Sequence, residues 1–252
     1  MPYRPHPPES FRREAHVRVV TWNVLHRIHA ENWAEGSVAA FPDEATRVDG
    51  ITGVVTSWLE ADVDVVCLQE VSGDQLESLR SALRVNVISH RHPRLPRFRK
   101  PTATQLQRPA EFLVTLTKLD TARTQGHPYE DDGGKGVLEV ELANGVTVLN
   151  THVSVGHKRD AQLAKLSQLM TVRSLAMGDF NERRDVVHAA LGTALTCTDL
   201  HGQLATRFGR SANDGQHIDH VLCRGGVLRE ATVLDTGQLS DHRPVRARGD
   251  FE

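Results

Sequence analysis

Apolar and polar positions alternate between two periods along this chain. Val17 to Trp22 alternates with β-branched content and stops at Asn23, which predicts a strand. From Asp43 to Leu59 the residues Val48, Ile51, Val54, Val55, Trp58 and Leu59 recur at helical spacing, and a helix is expected although Gly50 and Gly53 each cost about 1 kcal/mol relative to Ala. Val63 to Leu68 is a short, nearly continuous apolar run ending at Gln69-Glu70, the pattern of a strand covered on both faces. Leu76, Leu79 and Leu83 mark a further helix from Asp74.

The segment from His90 to Arg108 breaks the pattern: it carries Arg91, Arg94, Arg97, Arg99, Lys100 and Arg108, three prolines and no acid, and reads as a basic loop. Glu111 to Thr117 predicts a strand and Asp131 to Gly134 a turn. Val137 to Leu142 and Val146 to Thr151 alternate on either side of Ala143-Asn144-Gly145, a hairpin signature whose second strand delivers His152. A helix is expected from His157 to Met170, a strand from Thr171 to Met177 leading into Gly178-Asp179-Phe180-Asn181, and a helix from Asp185 to Leu195. Strands follow at His217 to Cys223 and Val227 to Leu234, with Ser240-Asp241-His242 after them. No repeat of fixed period and no linker between two cores is visible, so the class is α/β throughout.

With 252 residues, of which 39% are hydrophobic, the chain can bury a core without staples, and a metal would be free to serve chemistry. Residues 1–16 read as a Pro-rich extension ahead of one domain at 17–252. The formal net charge of -2 announces no polyanionic partner, so any such signal must be local to the basic loop. Cys67, Cys197 and Cys223 are odd in number and far apart, which fits reduced thiols and a cytoplasmic location; no signal peptide or membrane span is expected.

Several predicted strands end in residues able to bind metal or move protons: Asn23, Glu70, His152, Asp179 with Asn181, and Asp219 with His220, joined by Asp241-His242. Strand ends of α/β sheets converge on one rim, where ligands bind. Amide and carboxylate oxygens suit Mg²⁺ or Mn²⁺, and Mg²⁺ takes one or two carboxylates plus substrate phosphate oxygens, so a phosphate ester is the natural substrate. Singly, each motif has a bland counterpart: an Asx turn at Asp179, a helix cap at Asp241, a first-turn carboxylate at Glu70. His29, His90, His127, His188 and His201 lack strand-end company and read as surface or core histidines, and Cys67 as an inert buried thiol. A zinc site from His217, His220 and His242 is disfavoured because residues three apart on a strand face opposite sides.

The ordered series Trp22-Asn23-Val24-Leu25, Leu68-Gln69-Glu70-Val71, Asn150-Thr151-His152, Gly178-Asp179-Phe180-Asn181, Ile218-Asp219-His220 and Ser240-Asp241-His242 resembles the endonuclease/exonuclease/phosphatase superfamily over nearly the whole chain. The resemblance implies a four-layer α/β sandwich of two facing, mostly antiparallel sheets flanked by helices. It implies Asn23 and Glu70 as ligands of the main divalent ion, Asp241 as a further ligand or a neighbour of the metal, and Asp179 orienting or deprotonating the attacking water. It further implies Asn181, His152 and His242 on the water or phosphate, and Asp219 orienting His242. Asn23-Val24-Leu25 and Cys67-Leu68-Gln69-Glu70-Val71 are most similar to the deadenylase, nocturnin and Angel branch. The absence of a tyrosine from Val146 to His152 speaks against abasic-site repair.

The expectation is therefore a Mg²⁺- or Mn²⁺-dependent phosphoesterase acting at RNA ends, as a 3′ exoribonuclease or a terminal or 2′,3′-cyclic phosphatase, with Arg94, Arg97, Arg99 and Lys100 on the substrate backbone. The same chemistry on DNA, a phosphoinositide, a sphingolipid or a nucleotide cofactor is the alternative, as is a non-catalytic nucleic-acid-binding module. No amphipathic membrane-facing segment is seen, so no membrane partner is expected.

Overall fold

The structure is a computed structural model that describes residues 15–99, 106–192, 194–209 and 215–252. Its elements in chain order are β1 (Ala15–Asn23), α1 (Arg27–Trp33), α2 (Gly36–Ala40), α3 (Glu44–Glu60), β2 (Val65–Ser72), α4 (Gly73–Ala82), β3 (Asn86–Arg91), β4 (Glu111–Thr117), β5 (Thr121–Tyr129) and β6 (Asp132–Leu142). After these come β7 (Thr147–His152), α5 (Arg159–Leu169), β8 (Ser174–Asp179), α6 (Arg184–Leu191), β9 (Leu195–Cys197), β10 (Asp219–Arg224), β11 (Val227–Val233) and β12 (Val245–Phe251).

Two six-stranded sheets result, ordered β11-β12-β1-β2-β4-β3 and β5-β6-β7-β8-β10-β9. Each is antiparallel except for one central parallel pair, β1 with β2 and β7 with β8. A parallel pair needs a crossover, and α3 and α5 supply them. Both parallel pairs therefore send two carboxyl-terminal strand ends to one edge.

The apolar runs are nearly continuous because both faces of each central strand are covered. Val17, Val19, Val65, Cys67, Val148 and Leu175 point between the sheets. Their alternates Val20, Trp22, Val66 and Leu68 pack under α3 and α4 with Ile51, Val55, Leu76 and Leu79. On the second sheet Leu149, Ala176 and Leu222 pack under α5 and α6 with Leu163, Leu166 and Val187. The layers are helix, sheet, sheet, helix, as the resemblance implies. Gly50 does not break α3; a Cβ there would sit 2.9 Å from Leu239, so the glycine lets the Leu239 chain close on the helix.

The two sheets are tied by a polar contact inside this apolar layer. Gln69 Nε2 donates to Asn150 Oδ1 (2.8 Å), and Asn150 Nδ2 donates to the Val114 (2.9 Å) and Leu68 (3.1 Å) carbonyls. Both side chains are fully buried, where every unpaired donor or acceptor costs about 1–3 kcal/mol.

Several sequence expectations need correction. The basic loop is shorter than expected, because His90 and Arg91 finish β3 and pair with β4. Thr121–Tyr129 is a strand, β5, and β6 begins at Asp132, so the expected turn from Asp131 to Gly134 narrows to Glu130 and Asp131. The helix expected to reach Leu195 stops at Leu191, and Leu195 enters β9. The expected elements do not include β12, although Val245–Phe251 alternates apolar and charged residues, nor the short helices α1 and α2, whose periodic signal is weak. The first strand begins at Ala15, while most of the expected 1–16 extension lies outside the described residues.

Asn150→Ala is expected to lower the unfolding free energy by about 2–4 kcal/mol, since Gln69 and two carbonyls lose partners in a dry layer. Urea denaturation measures this, and a loss within about 0.5 kcal/mol would contradict the clamp.

Candidate active site

At the shared sheet edge, strand register sets which residues meet. His152 lies opposite Asp179 in the parallel β7–β8 pair, and Asp219 lies opposite Asp179 in the antiparallel β8–β10 pair. β1 ends with Asn23 opposite Gln69, one residue short of Glu70. Glu70 falls at a register shift in the β2–β4 ladder and adopts φ 57°, and Asn181 adopts φ 50° just past β8. Strained left-handed backbone of this kind re-aims a side chain at functional sites. Gly178 has φ 150° and lies so close to Thr151 that a Cβ would stand 1.8 Å from its carbonyl oxygen, which makes glycine obligatory beside the β7 end.

Asp179 is the hub. Its Oδ1 accepts from the Asn181 backbone N–H (2.8 Å), and its Oδ2 accepts from Asn23 Nδ2 (3.0 Å). The same Oδ2 is 3.4 Å from His152 Nε2 and 3.8 Å from His242 Nε2. Burial opposes ionisation of this carboxyl, but the charges of His242 and His152 outweigh it and hold the group well below the usual carboxylate range.

Asn23 Nδ2 also reaches Glu70 Oε1 at 3.3 Å, while its Oδ1 accepts the Leu25 N–H (3.0 Å). Glu70 Oε2 accepts from the His26 backbone N–H (3.1 Å). Against the effect of burial, His29 and His152 hold the Glu70 carboxyl at about 2.

Asp219 accepts from His242 Nδ1 at 2.9 Å in a fully buried pair. Burial disfavours the imidazolium, yet Asp219, Asp241 and Asp179 overcome it and raise His242 to about 10; burial in turn raises Asp219 to about 6 despite the His242 charge. His242 thus keeps Nδ1–H on Asp219 and turns Nε2–H towards Asp179. Asp241 Oδ2 is engaged by Arg207 (3.3 Å), and Ser240 Oγ donates to the Asn23 carbonyl (2.7 Å), which fastens the β12 approach to β1.

Asn23, Glu70, His152, Asp179, Asn181, Asp219, Asp241 and His242 therefore gather at one edge. Of the expected substrate residues, Arg94 and Arg99 line the same cleft, of about 1050 Å³; Arg97 is exposed and does not line it, and Lys100 lies outside the described residues. His217 and His220 line a neighbouring groove, where His220 Nε2 donates to the Glu182 carbonyl (2.8 Å), so they form no site with His242.

Four residues at the site were not singled out in the sequence. Lys135 Nζ contacts the His152 ring, 3.0 Å from Nδ1, and lines the cleft. Arg207 bridges Asp241 and Glu35. His29, expected to be an ordinary histidine, binds the buried Glu111 carboxylate (2.9 Å), and both face the cleft.

Two groupings offer carboxylate oxygens to a cation. Ligand atoms of Asp179, Asp219 and His242 lie within 4.8 Å of one another, but Asp219 and His242 are already committed to each other. Glu70 reaches the cleft in ionised form, with Asn23 beside it, and this hard-oxygen set fits a divalent cation of the Mg²⁺ or Mn²⁺ type.

The two-sheet sandwich carries buried acid–base pairs at one strand-end rim, and its family membership makes the protein a metal-dependent phosphoesterase, a hydrolase. The chain belongs to the Endonuclease/Exonuclease/phosphatase family, whose model matches residues 20–242. Enzymes of this family depend on divalent metal. No curated protein matches the sequence. Among solved structures it is similar to an endonuclease/exonuclease/phosphatase from Bacteroides vulgatus, with TM-score 0.68, 16% identity, and coverage of 94% of this chain and 100% of that one. It is similar also to D. rerio TDP2, solved with a single-strand DNA product, with TM-score 0.67, 13% identity, and coverage of 93% and 99%. TDP2 from Caenorhabditis elegans gives TM-score 0.63 at 14% identity, covering 93% and 74%. At these identities the likeness establishes the fold.

Opposed titrations set the pH profile of stability. Burial lowers His92 and His220 from 6.5 to about 4, so their contribution is complete above pH 6.5 and is lost as the pH falls to about 4. His242 is raised, so its contribution is complete below pH 6.5 and is lost as the pH rises to about 10. Urea midpoints should peak near pH 6.5 and fall on both sides. His92→Leu should flatten the acid limb and Asp219→Asn the alkaline limb; an unchanged profile in both variants would contradict these shifts.

Proposed function

We propose that the chain hydrolyses phosphate esters at RNA ends with Mg²⁺ or Mn²⁺, removing 3′ nucleotides or a terminal or 2′,3′-cyclic phosphate. The observation that carries this reading is that the acid–base floor opens into one cleft whose walls hold Arg94, Arg99, Lys135 and Arg207, cations suited to a phosphate backbone. RNA is preferred because the Asn23-Val24-Leu25 and Cys67 to Val71 motifs are most similar to the deadenylase branch. Single-stranded DNA ends are the second reading, favoured by the D. rerio TDP2 complex with its DNA product.

In this mechanism Asp179, ionised and fixed through both oxygens, orients a water and accepts its proton only in passing, returning it to solvent as the oxygen adds to phosphorus; the ester P–O bond breaks and the leaving oxygen takes up a proton from solvent. Asn181 donates its amide to the Val153 carbonyl (2.9 Å) and sits 3.5 Å from His152 Nε2, which supports assigning it to the same water. His242, cationic and aimed by Asp219, donates Nε2–H to a phosphoryl oxygen, and His152 with Lys135 supports another. Glu70, with Asn23 and Asp241 as neighbours, would hold the divalent cation, which when bound supplies a Lewis acid against the charge developing on the phosphoryl group.

Activity should vanish in EDTA and return with Mg²⁺ or Mn²⁺. Asp179→Asn and His242→Ala should each lose at least ~10²-fold in rate, and Lys135→Ala about tenfold or more, with the fold intact by circular dichroism. RNA and DNA oligomers ending in 3′-hydroxyl, 3′-phosphate or 2′,3′-cyclic phosphate identify the substrate. Hydrolysis indifferent to chelation, or unchanged in Asp179→Asn, overturns the mechanism.

A further inference from the structure

Beyond its acidic floor, the cleft carries two large exposed aromatic rings. Trp33, the last residue of α1, is 55% exposed, and Phe208, in the segment before β10, is 36% exposed. Isolated surface aromatics are common, but both of these line the catalytic cleft and both are held against a guanidinium. Arg99 stacks on Trp33, 4.1 Å from the ring centroid, and Arg243 stacks on Phe208 at 3.8 Å.

Each stack is built by the backbone around it. Asn32, next to Trp33, donates to the Arg97 carbonyl (2.9 Å) and accepts the Arg99 N–H (2.8 Å), so one side chain clips the basic loop to α1 and brings Arg99 over the ring. Phe208 donates its N–H to the Asp241 carbonyl (2.8 Å), which fastens it beside the catalytic floor, and Arg243 is braced on the Ala205 carbonyl (2.9 Å). The halves meet where Arg207 contacts Glu35 (3.7 Å) and Asp241 (3.3 Å). The cleft lining thus holds two rings, Trp33 and Phe208, together with the cations Arg99 and Arg207.

We propose that Trp33 and Phe208 are base-stacking platforms that make the cleft select a single, unpaired nucleic-acid strand. The inference rests on the nucleic-acid reading above and refines it. A single strand presents bases and phosphates in alternation, and every base has a face that can stack on an aromatic ring, whereas a duplex keeps its bases inside its own stack. Trp33 and Phe208 are positioning residues for the strand; the bond that Phe208 makes to Asp241 runs through its backbone, so replacing the ring keeps it and acts on affinity rather than on the chemical step.

Tryptophan fluorescence of the full chain with Mg²⁺ tests this, titrated with a short phosphorothioate-linked single strand that resists cleavage and with the same strand as a duplex. Trp22 is buried and Trp58 packs on it, so Trp33 is the indole that reports contact. Single strand is expected to quench and to bind more tightly than duplex. Competition against a labelled single strand should show Trp33→Ala and Phe208→Ala each weakening binding on the order of tenfold or more, with Trp33→Phe retaining most of it. With a cleavable single strand as substrate, the loss in the alanine variants should appear in KM with kcat little changed, the split expected of groups that bind the strand and take no part in the chemical step. Equal affinity for duplex, or wild-type binding by both alanine variants, overturns the proposal. Wild-type protein that binds single strands through these rings yet cleaves none would leave the platforms standing and overturn the hydrolase reading.

Discussion

The site exists because two sheets are held in one relative position, and the Gln69–Asn150 amide contact is what removes the freedom to slide. Apolar packing between sheets is non-directional and roughly proportional to buried area, so by itself it tolerates small shifts. Asn150 instead satisfies two carbonyls of the opposite sheet and the Gln69 amide at once. Any slide would strand buried donors. Gln69 precedes Glu70, and Asn150 stands two residues before His152, so the clamp sits directly beneath the side chains that must converge.

Convergence creates an electrostatic problem that explains the rest of the local architecture. Glu111, Asp179, Asp219 and Asp241 are buried and Glu70 is half-buried at this edge, where ionised carboxylates are costly unless paired. Each has its own cation or donor set: His29 at Glu111, His242 at Asp219, Arg207 at Asp241, backbone N–H groups at Asp179 and Glu70. The left-handed conformations at Glu70 and Asn181 belong to the same solution, since they turn side chains out of the sheet towards their partners.

Much of this was legible in the sequence because strands that end in polar residues advertise both the fold and the rim. Asn23, Glu70, His152 and Asp179 stood at the ends of apolar runs, and the runs were long because helices cover the outer faces. Lys135 was readable in principle: the Asn-Gly hairpin puts Gly136 opposite His152, and Lys135 follows one step along the strand. His29 and Arg207 were not readable, because the short helix and the irregular segment that carry them have no period. Trp33 and Phe208 stayed hidden for the opposite reason, since an apolar residue in an unpatterned segment looks like any core residue until its exposure is known. Strand β5 escaped because it lies at a sheet edge, with most of its residues half-buried or exposed and no alternation to mark it.

The charge balance at the floor argues for a cation in the working enzyme on grounds independent of family membership. Five carboxylates face Lys135, Arg207, the imidazolium of His242 and His29, whose proton affinity is raised by Glu70 and Glu111 against the effect of burial. His29, Arg207 and His242 are paired with Glu111, Asp241 and Asp219, so on the floor itself a phosphate ester meets carboxylates with their counter-charges, while Arg94, Arg99 and Lys135 stand on the walls. Added positive charge turns such a floor attractive to a second anion, and the hard oxygens of Glu70 suit a small dication. The acidic cluster and the affinity for phosphate, contradictory for the protein alone, are compatible once a divalent ion lies between them.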